Sequence, residues 1–178
     1  MLANIGSPPS VTEQADRMAI LDILALHSRG LDRLDPSLIK HSYWADAEVD
    51  YGAFKGPAQQ FAELVVHALG EQYELTRHSL GNSLIVFATD TVAKSESGVD
   101  AAHLFHGAES EMQFAGRYLD TLEKRDKVWK IRRREVVIDW SRVVTVTDER
   151  ESEGFAALGK GAHGADDPSH AFFHSNAN

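Results

Sequence analysis

The feature that most limits how this chain can fold is a change of period near residue 70. Before it, apolar residues recur at helical spacing. Met18, Ile20, Ile23, Leu24, His27 and Leu31 form one stripe, and Phe61, Leu64, Val65, Ala68 and Leu69 form another, as in helices with one buried face. After it, four stretches rich in alternating apolar residues follow one another, predicting strands over 75–88, 91–106, 110–124 and 128–140. Helices gathered in front of strands specify an α+β fold rather than alternating α/β. About three helices packed on a curved antiparallel sheet would make a cone, and its apolar mouth would suit a small molecule.

Local signals set the boundaries. Ser10-Val-Thr-Glu13 is a capping box that starts the first helix, which loosens near Asp32. Asp35-Pro36 restarts a short helix running to about Trp44. Residues 46–51 read as a short strand, 52–56 as a turn, and Pro57 opens a third helix that ends at Gly70. Residues 1–9 read as a flexible arm. Residues 147–178, rich in Gly, Asp and His, read as a tail that docks on the body or on a partner through Phe155, Leu158, Phe172 and Phe173. The body, 1–146, is expected to be one domain. With 178 residues, 43% of them hydrophobic, the chain can bury one core.

Composition excludes several classes of function. A net charge of −9 repels phosphate backbones, so no nucleic-acid partner is expected. The absence of cysteine removes thiolate chemistry and disulfides. No apolar run approaches the roughly 18 residues of a membrane span. The first residues lack the basic and apolar regions of a signal peptide, so a cytoplasmic location without membrane contact is the expectation. No Gly-rich phosphate loop follows a strand, no GxSxG elbow is present, and His103 and His106 stand three apart without an HExxH helix. Neither a metal nor a cofactor is expected.

The chemistry centres on the strand after residue 75. Alternation places His78, Leu80, Asn82, Leu84 and Val86 on one face. An imidazole and an amide on an apolar face are costly unless they find partners or the face lines a cavity. Asp32, at the loosening end of the first helix, could reach His78. A neutral histidine oriented by a carboxylate is a general base suited to pH 7. Arg134 follows Arg132 and Arg133 and reads either as part of a solvated basic strand end or, from its parity with Val136, Ile138 and Trp140, as an inward-pointing residue. A buried arginine there needs an anion or a place where negative charge develops. His27 lies on the helix stripe, where it packs in the core, donates a proton to a leaving group or orients another residue. Tyr118, on a face with Met112, Phe114 and Leu122, is either core or a substrate contact, as is Tyr51; Asn82 bonds substrate or ties a neighbouring strand, and Trp140 is a further candidate substrate contact. His41, His67, His163, His170 and His174 read as surface or tail residues.

Several runs resemble the SnoaL-like branch of the nuclear-transport-factor-2-like (NTF2-like) superfamily: His27-Ser-Arg-Gly-Leu-Asp-Arg-Leu-Asp35, Trp44-Ala-Asp-Ala47, Arg77-His78 with Asn82, Gly116-Arg-Tyr-Leu-Asp120, Arg125-Asp-Lys-Val-Trp-Lys-Ile131, and Arg134 with Asp139-Trp140. The resemblance covers roughly residues 12–142, with a weaker echo at Asp167-Pro-Ser169. It is nearest to hexachlorocyclohexane dehydrochlorinases and more distant from bile-acid 7α-dehydratase and scytalone dehydratase.

The resemblance implies a cofactor-independent lyase with a histidine–aspartate dyad, which falls by position on His78 and Asp32. The dehydrochlorinase's cavity arginine falls on Arg134. His27 stands where that enzyme has lysine and the bile-acid enzyme has tyrosine. The second histidine of scytalone dehydratase would be His103 or His106. The implied substrate is a hydrophobic cyclic or aromatic small molecule. The implied reaction is dehydration, dehydrohalogenation or deformylating cleavage of lignin-derived diarylpropanes, a step of aromatic compound catabolism. The same superfamily holds ketosteroid-isomerase-like isomerases and non-catalytic binding proteins, which remain as alternatives. Its members pair through the outer sheet face, so a homodimer or homotrimer is expected.

Overall fold

In the computed structural model, residues 5–175 are described. The first helix, α1 (Val11–Asp32), opens on the capping box. Ser10 Oγ accepts from the Glu13 amide at 3.2 Å, and Glu13 Oε2 accepts from the Ser10 amide at 2.9 Å. Its inner face buries Ile20, Leu24, His27 and Leu31. The chain turns back on itself over Arg33–Asp35, and α2 (Pro36–Ser42) packs against α1 at Gly30. A Cβ at Gly30 would lie 2.7 Å from Ile39 Cγ1, so only glycine permits that approach. Asp35 caps α2 by accepting from the Ser37 and Leu38 amides.

Strand β1 (Tyr43–Asp50) begins earlier than the sequence suggests, because α2 ends at Ser42. The expected turn carries a three-residue strand, β2 (Lys55–Pro57), which returns antiparallel on β1. Helix α3 (Ala58–Gln72) follows, then four long strands: β3 (Tyr73–Thr89), β4 (Val92–Phe105), β5 (Ser110–Arg125) and β6 (Val128–Thr145). They form one six-stranded sheet in the order β2-β1-β6-β5-β4-β3. The sheet is mixed rather than antiparallel, since β1 lies parallel to β6, with Asp50 opposite Glu135. A parallel neighbour needs a long crossover, and here α3 and the antiparallel strands supply it. The helices cover the concave face, giving an α+β cone with a core of Ile20, Leu24, Ile39, Phe61, Leu122 and Trp129. Among the described residues no helix is long and apolar enough to cross a membrane.

Two β-bulges correct the expected faces. Leu80 pairs with Val99, but Ser83 pairs with Ser97, so β3 carries one extra residue at Gly81–Asn82. Alternation restarts one position later. Ile85 is therefore buried, Leu84 is 44% exposed, and Asn82 leaves the His78 face for solvent. In β6, Ile138 pairs with Gly116 but Trp140 pairs with the adjacent Ala115, leaving Asp139 as the extra residue. Trp140 is thereby turned away from the face of Arg134 and is 51% exposed. Gly116 permits this bulge, because a Cβ there would lie 2.3 Å from the Val137 carbonyl oxygen.

The tail carries regular structure that its sequence did not suggest. A 3₁₀ turn (Gly164–Asp166) leads to a short helix, α4 (Pro168–His174), capped by Asp167. Both lie against the C-terminal turn of α1. The first four residues of the expected N-terminal arm and the last three of the tail lie outside the described residues.

Candidate active site

Asp32 is the last residue of α1, and His78 stands on β3 three residues before the bulge at Gly81–Asn82. The carboxylate holds both ends of the histidine: Oδ1 accepts from ring Nδ1 at 2.7 Å, and Oδ2 accepts from the His78 backbone amide at 3.0 Å. Gripping amide and ring together fixes the imidazole's orientation and places its proton on Nδ1. Nε2 is then a free lone pair, with no hydrogen-bond partner among the described residues. The two side chains are 8% and 13% exposed. Both line a groove of about 690 Å³ between α1, β3 and the tail, whose walls combine Ala25, Leu26, Leu80 and Phe173 with the charged Asp22, Arg29, Arg33 and Asp167.

His103, on β4, meets the His78 ring edge-on at 5.2 Å between centroids and packs against Tyr73 at 4.8 Å. Burial, and then the neighbouring His78, lowers its pKa to about 4, so it is neutral, and its Nδ1 lacks a partner among the described residues. His106 is exposed and donates to the Gly70 carbonyl at 3.1 Å. Of this pair, His103 adjoins the dyad and His106 does not.

The other expected groups form a separate buried network behind the groove. Arg134 Nε and Nη2 donate to Asp120 Oδ1 and Oδ2 at 2.7 and 2.8 Å, and Nη1 donates to His27 Nδ1 at 2.9 Å. Because Arg134 can only donate, His27 Nδ1 must accept. The ring proton then sits on Nε2 and points at the Tyr43 hydroxyl, 3.0 Å away. Burial, and then the Arg134 charge, holds the His27 pKa well below the usual imidazole value, so His27 is neutral with both nitrogens engaged. Burial works against the Arg134 charge, but Asp120 together with Tyr43 and Tyr51 outweighs it and holds the Arg134 pKa above the ordinary guanidinium value.

Tyr118 lies under the guanidinium at 4.0 Å, and burial pushes its phenol pKa up. Tyr51 stacks on Phe61 at 4.1 Å; its buried hydroxyl meets no hydrogen-bond geometry, although Tyr43 and Arg134 are close enough to influence its pKa. None of His27, Arg134, Tyr118 and Tyr51 lines the groove. His27 is thus not placed to protonate a leaving group there, nor Arg134 to contact one. Asn82 and Trp140 lie outside altogether.

Sequence reasoning missed three groups. Asp120 could have been found, since it shares the inward parity of Tyr118 and faces Arg134 in register. Ser28, 5% exposed, lines the groove one turn before Asp32. Asp167 reaches back from the tail and is 7% exposed. It pairs with Arg33, accepts from the Ala162 and Ser169 amides at 3.1 and 2.9 Å, and accepts from the Ser169 hydroxyl. Burial would raise its pKa, but these hydrogen bonds and the Arg33 charge hold it well below the usual carboxylate range. Arg33 O accepts from the Gly164 amide at 2.8 Å, and Arg29 donates to Ser169 Oγ at 2.9 Å while its guanidinium covers the Phe173 ring. The tail thus clamps the residue next to Asp32.

The geometry can be set beside known proteins. The family model described as a SnoaL-like domain matches residues 12–135. A candidate scytalone dehydratase from Novosphingobium aromaticivorans DSM 12444 is similar at 26% identity and TM-score 0.68, over 76% of this chain and 92% of that one. Hexachlorocyclohexane dehydrochlorinase LinA-type3 from Novosphingobium barchaimii LL02 shares the fold at 20% identity and TM-score 0.69, over 75% and 93% of the two chains. A protein of unknown function from Nostoc punctiforme, described as having a cystatin-like fold, does so at 16% identity and TM-score 0.60, over 70% and 92%. No curated protein matches the sequence.

Proposed function

The chain belongs to the SnoaL-like family, with the NTF2-like α+β cone, and we propose that it is a cofactor-independent lyase in which His78 is the general base. The observation that carries this reading is the two-point grip of Asp32 on His78, which leaves Nε2 unpaired at a groove with both apolar and charged walls. A neutral imidazole there can take a proton from carbon or from a hydroxyl, and Asp32 stabilises the resulting imidazolium. The electron pair released then expels a group from the neighbouring atom by breaking a C–O, C–halogen or C–C bond. Two of the similar structures are named as a dehydratase and a dehydrochlorinase, reactions in which a proton is removed from the carbon beside the departing group.

The apolar part of the groove, Ala25, Leu26, Leu80 and Phe173, suits the ring of a hydrophobic cyclic or aromatic substrate. Arg134, His27, Asp120 and the tyrosines make the rigid floor that backs the dyad, and His103 packs beside it. Exposed Ile138, Trp140 and Val143, on the part of β6 beyond its pairing with β1, support self-association as a homodimer or homotrimer.

The test is turnover of a panel: scytalone, γ-hexachlorocyclohexane and a 1,2-diarylpropane-1,3-diol, with products read by mass spectrometry. Loss of water, HCl or formaldehyde from one member is the expected result, and a product of unchanged mass would reassign the site to isomerisation. His78→Gln should cost at least ~10²-fold in rate, the usual scale of general-base catalysis. Asp32→Asn should cost a comparable factor. Wild-type rates in His78→Gln would end the proposal.

A further inference from the structure

Ser28 is the group in the groove that general-base catalysis by His78 leaves without a task. It lies four residues before Asp32, so the two share a face of α1. It is 5% exposed, it lines the same groove as His78 and Asp32, and its hydroxyl has no hydrogen-bond partner among the described residues. A serine inside a helix ordinarily donates to the carbonyl four residues back. Ser42 in α2 does this, donating to Leu38 O at 2.9 Å. Thr76, buried nearby on β3, likewise donates to the Leu31 carbonyl. Ser28 makes no such bond. A buried hydroxyl left unpaired works against folding, whereas alanine would pack as well and favour the helix more. Such a group is kept where something outside the fold completes it.

We propose that Ser28 Oγ donates its hydrogen bond to an oxygen atom of the substrate, next to the atom from which His78 takes a proton. This rests on the assignment of His78 as base and narrows its substrate class. A hydroxyl donor recognises an oxygen, while carbon-bound chlorine is a poor acceptor. The substrate is therefore a cyclic or aromatic compound bearing a hydroxyl or carbonyl oxygen, and dehydration or C–C cleavage beside an oxygen is the chemistry, rather than dehydrohalogenation.

For dehydration the step balances without a co-reactant. His78 Nε2 takes the proton from carbon, the C–H electrons form the C=C bond, and the C–O bond breaks. The departing oxygen, held by Ser28, collects the proton from the imidazolium and leaves as water. Ser28 keeps its own proton throughout.

The experiment compares binding of 2-naphthol and 2-chloronaphthalene, two rings alike except for the oxygen, to the wild-type chain, Ser28→Ala and His78→Gln. Calorimetry or fluorescence gives the dissociation constants, and thermal melts accompany them. The expected result is a preference for 2-naphthol of roughly tenfold or more in the wild type, the scale of a lost hydrogen-bond partner. Ser28→Ala should abolish that preference and melt at or above the wild-type temperature, while His78→Gln should keep most of it. Equal affinity for the two rings in the wild type overturns the proposal. So does a Ser28→Ala chain that keeps the preference, or one that melts markedly lower, which would show a structural bond. A His78→Gln chain with wild-type turnover would instead remove the base assignment and leave the binding preference standing.

Discussion

Replacing Asp120 with asparagine isolates what the buried network contributes. Asp120 is 3% exposed and Arg134 is fully buried, and two parallel hydrogen bonds of 2.7 and 2.8 Å join them. In Asp120→Asn the carboxamide oxygen can still accept one of these bonds. Its NH₂ group then faces an Arg134 N–H, donor against donor, and the guanidinium charge loses its counterion. Breaking a buried pair by removing one partner costs ~3–5 kcal/mol, because the remaining charge stays desolvated. Domain stability is typically ~5–15 kcal/mol in total, so this is a large share. With a urea m-value near ~2 kcal/mol/M, the unfolding midpoint should fall by roughly 2 M. Arg134→Met should cost a similar amount. The double variant Asp120→Leu/Arg134→Met should recover most of the loss, since an apolar pair of similar volume can replace an ion pair at little cost. Urea denaturation of the wild type and the three variants reads these changes. A loss below ~1 kcal/mol in Asp120→Asn, the scale of a surface pair, would refute the reasoning, as would a double variant no more stable than the singles. Turnover of the double variant should fall far less than in His78→Gln, because the network lies behind the groove.

Two further predictions follow from the histidines and the tail. His103 has a folded pKa lowered to about 4, and His27 is lowered as well. The unfolded chain therefore binds protons, from its ordinary value of about 6.5 downward, that the folded chain refuses. Stability should decline as pH falls from ~6.5 to ~4, by roughly 3 kcal/mol from His103; denaturation at stepped pH reads this, and His103→Phe should flatten the slope. Asp167→Asn should loosen the tail, seen as faster amide exchange across residues 161–174 and a raised KM. Because the Asp167 pKa is depressed, its contribution is present above the ordinary carboxylate value of ~3.9 and is lost only as pH falls through the lower folded value. A tail equally protected in wild type and variant would show that Asp167 does not hold it.

What the sequence made legible was whatever depends on neighbours in the chain. The capping box at Ser10–Glu13 and the Asp35-Pro36 start are local and stand as read, and both stripes form helices, although Met18 at 60% exposure and Leu64 at 47% fall outside the buried faces. The contact of Asp32 with His78 spans 46 residues, yet it was within reach, because each is the polar exception at the end or on the face of a clear element. Asn82 and Trp140 were misplaced for a different reason. A bulge is one residue inserted against a partner strand, and it is visible only when both strands are seen together. Gly81 and Gly116 were the signals available, but glycine in a strand also has blander explanations. The parallel pairing of β1 with β6 and the docking of Asp167 on Arg33 depend wholly on long-range packing, and no local pattern encodes either.

The bulge that displaced Asn82 also explains why the dyad forms. Helix α1 and strand β3 are tied at two points, Asp32 to His78 at one end and Arg17 Nη1 to the Ile85 carbonyl at 2.8 Å at the other. From Arg17 to Asp32 is fifteen residues of helix, or about 22 Å. From His78 to Ile85 is seven residues of strand, or about 23 Å when fully extended. The lengths agree, so helix and strand run side by side in opposite directions between the two ties. Strict alternation over those seven residues would turn Ile85 outward whenever His78 faced inward. The extra residue at Gly81–Asn82 reverses that parity, so that His78 and Leu80 at one end, and Ser83, Ile85 and Phe87 at the other, all face the helix. Without it, β3 could bury Ile85 or present His78 to Asp32, but not both. The irregularity in the strand thus lets core packing and a histidine base share one edge of the sheet.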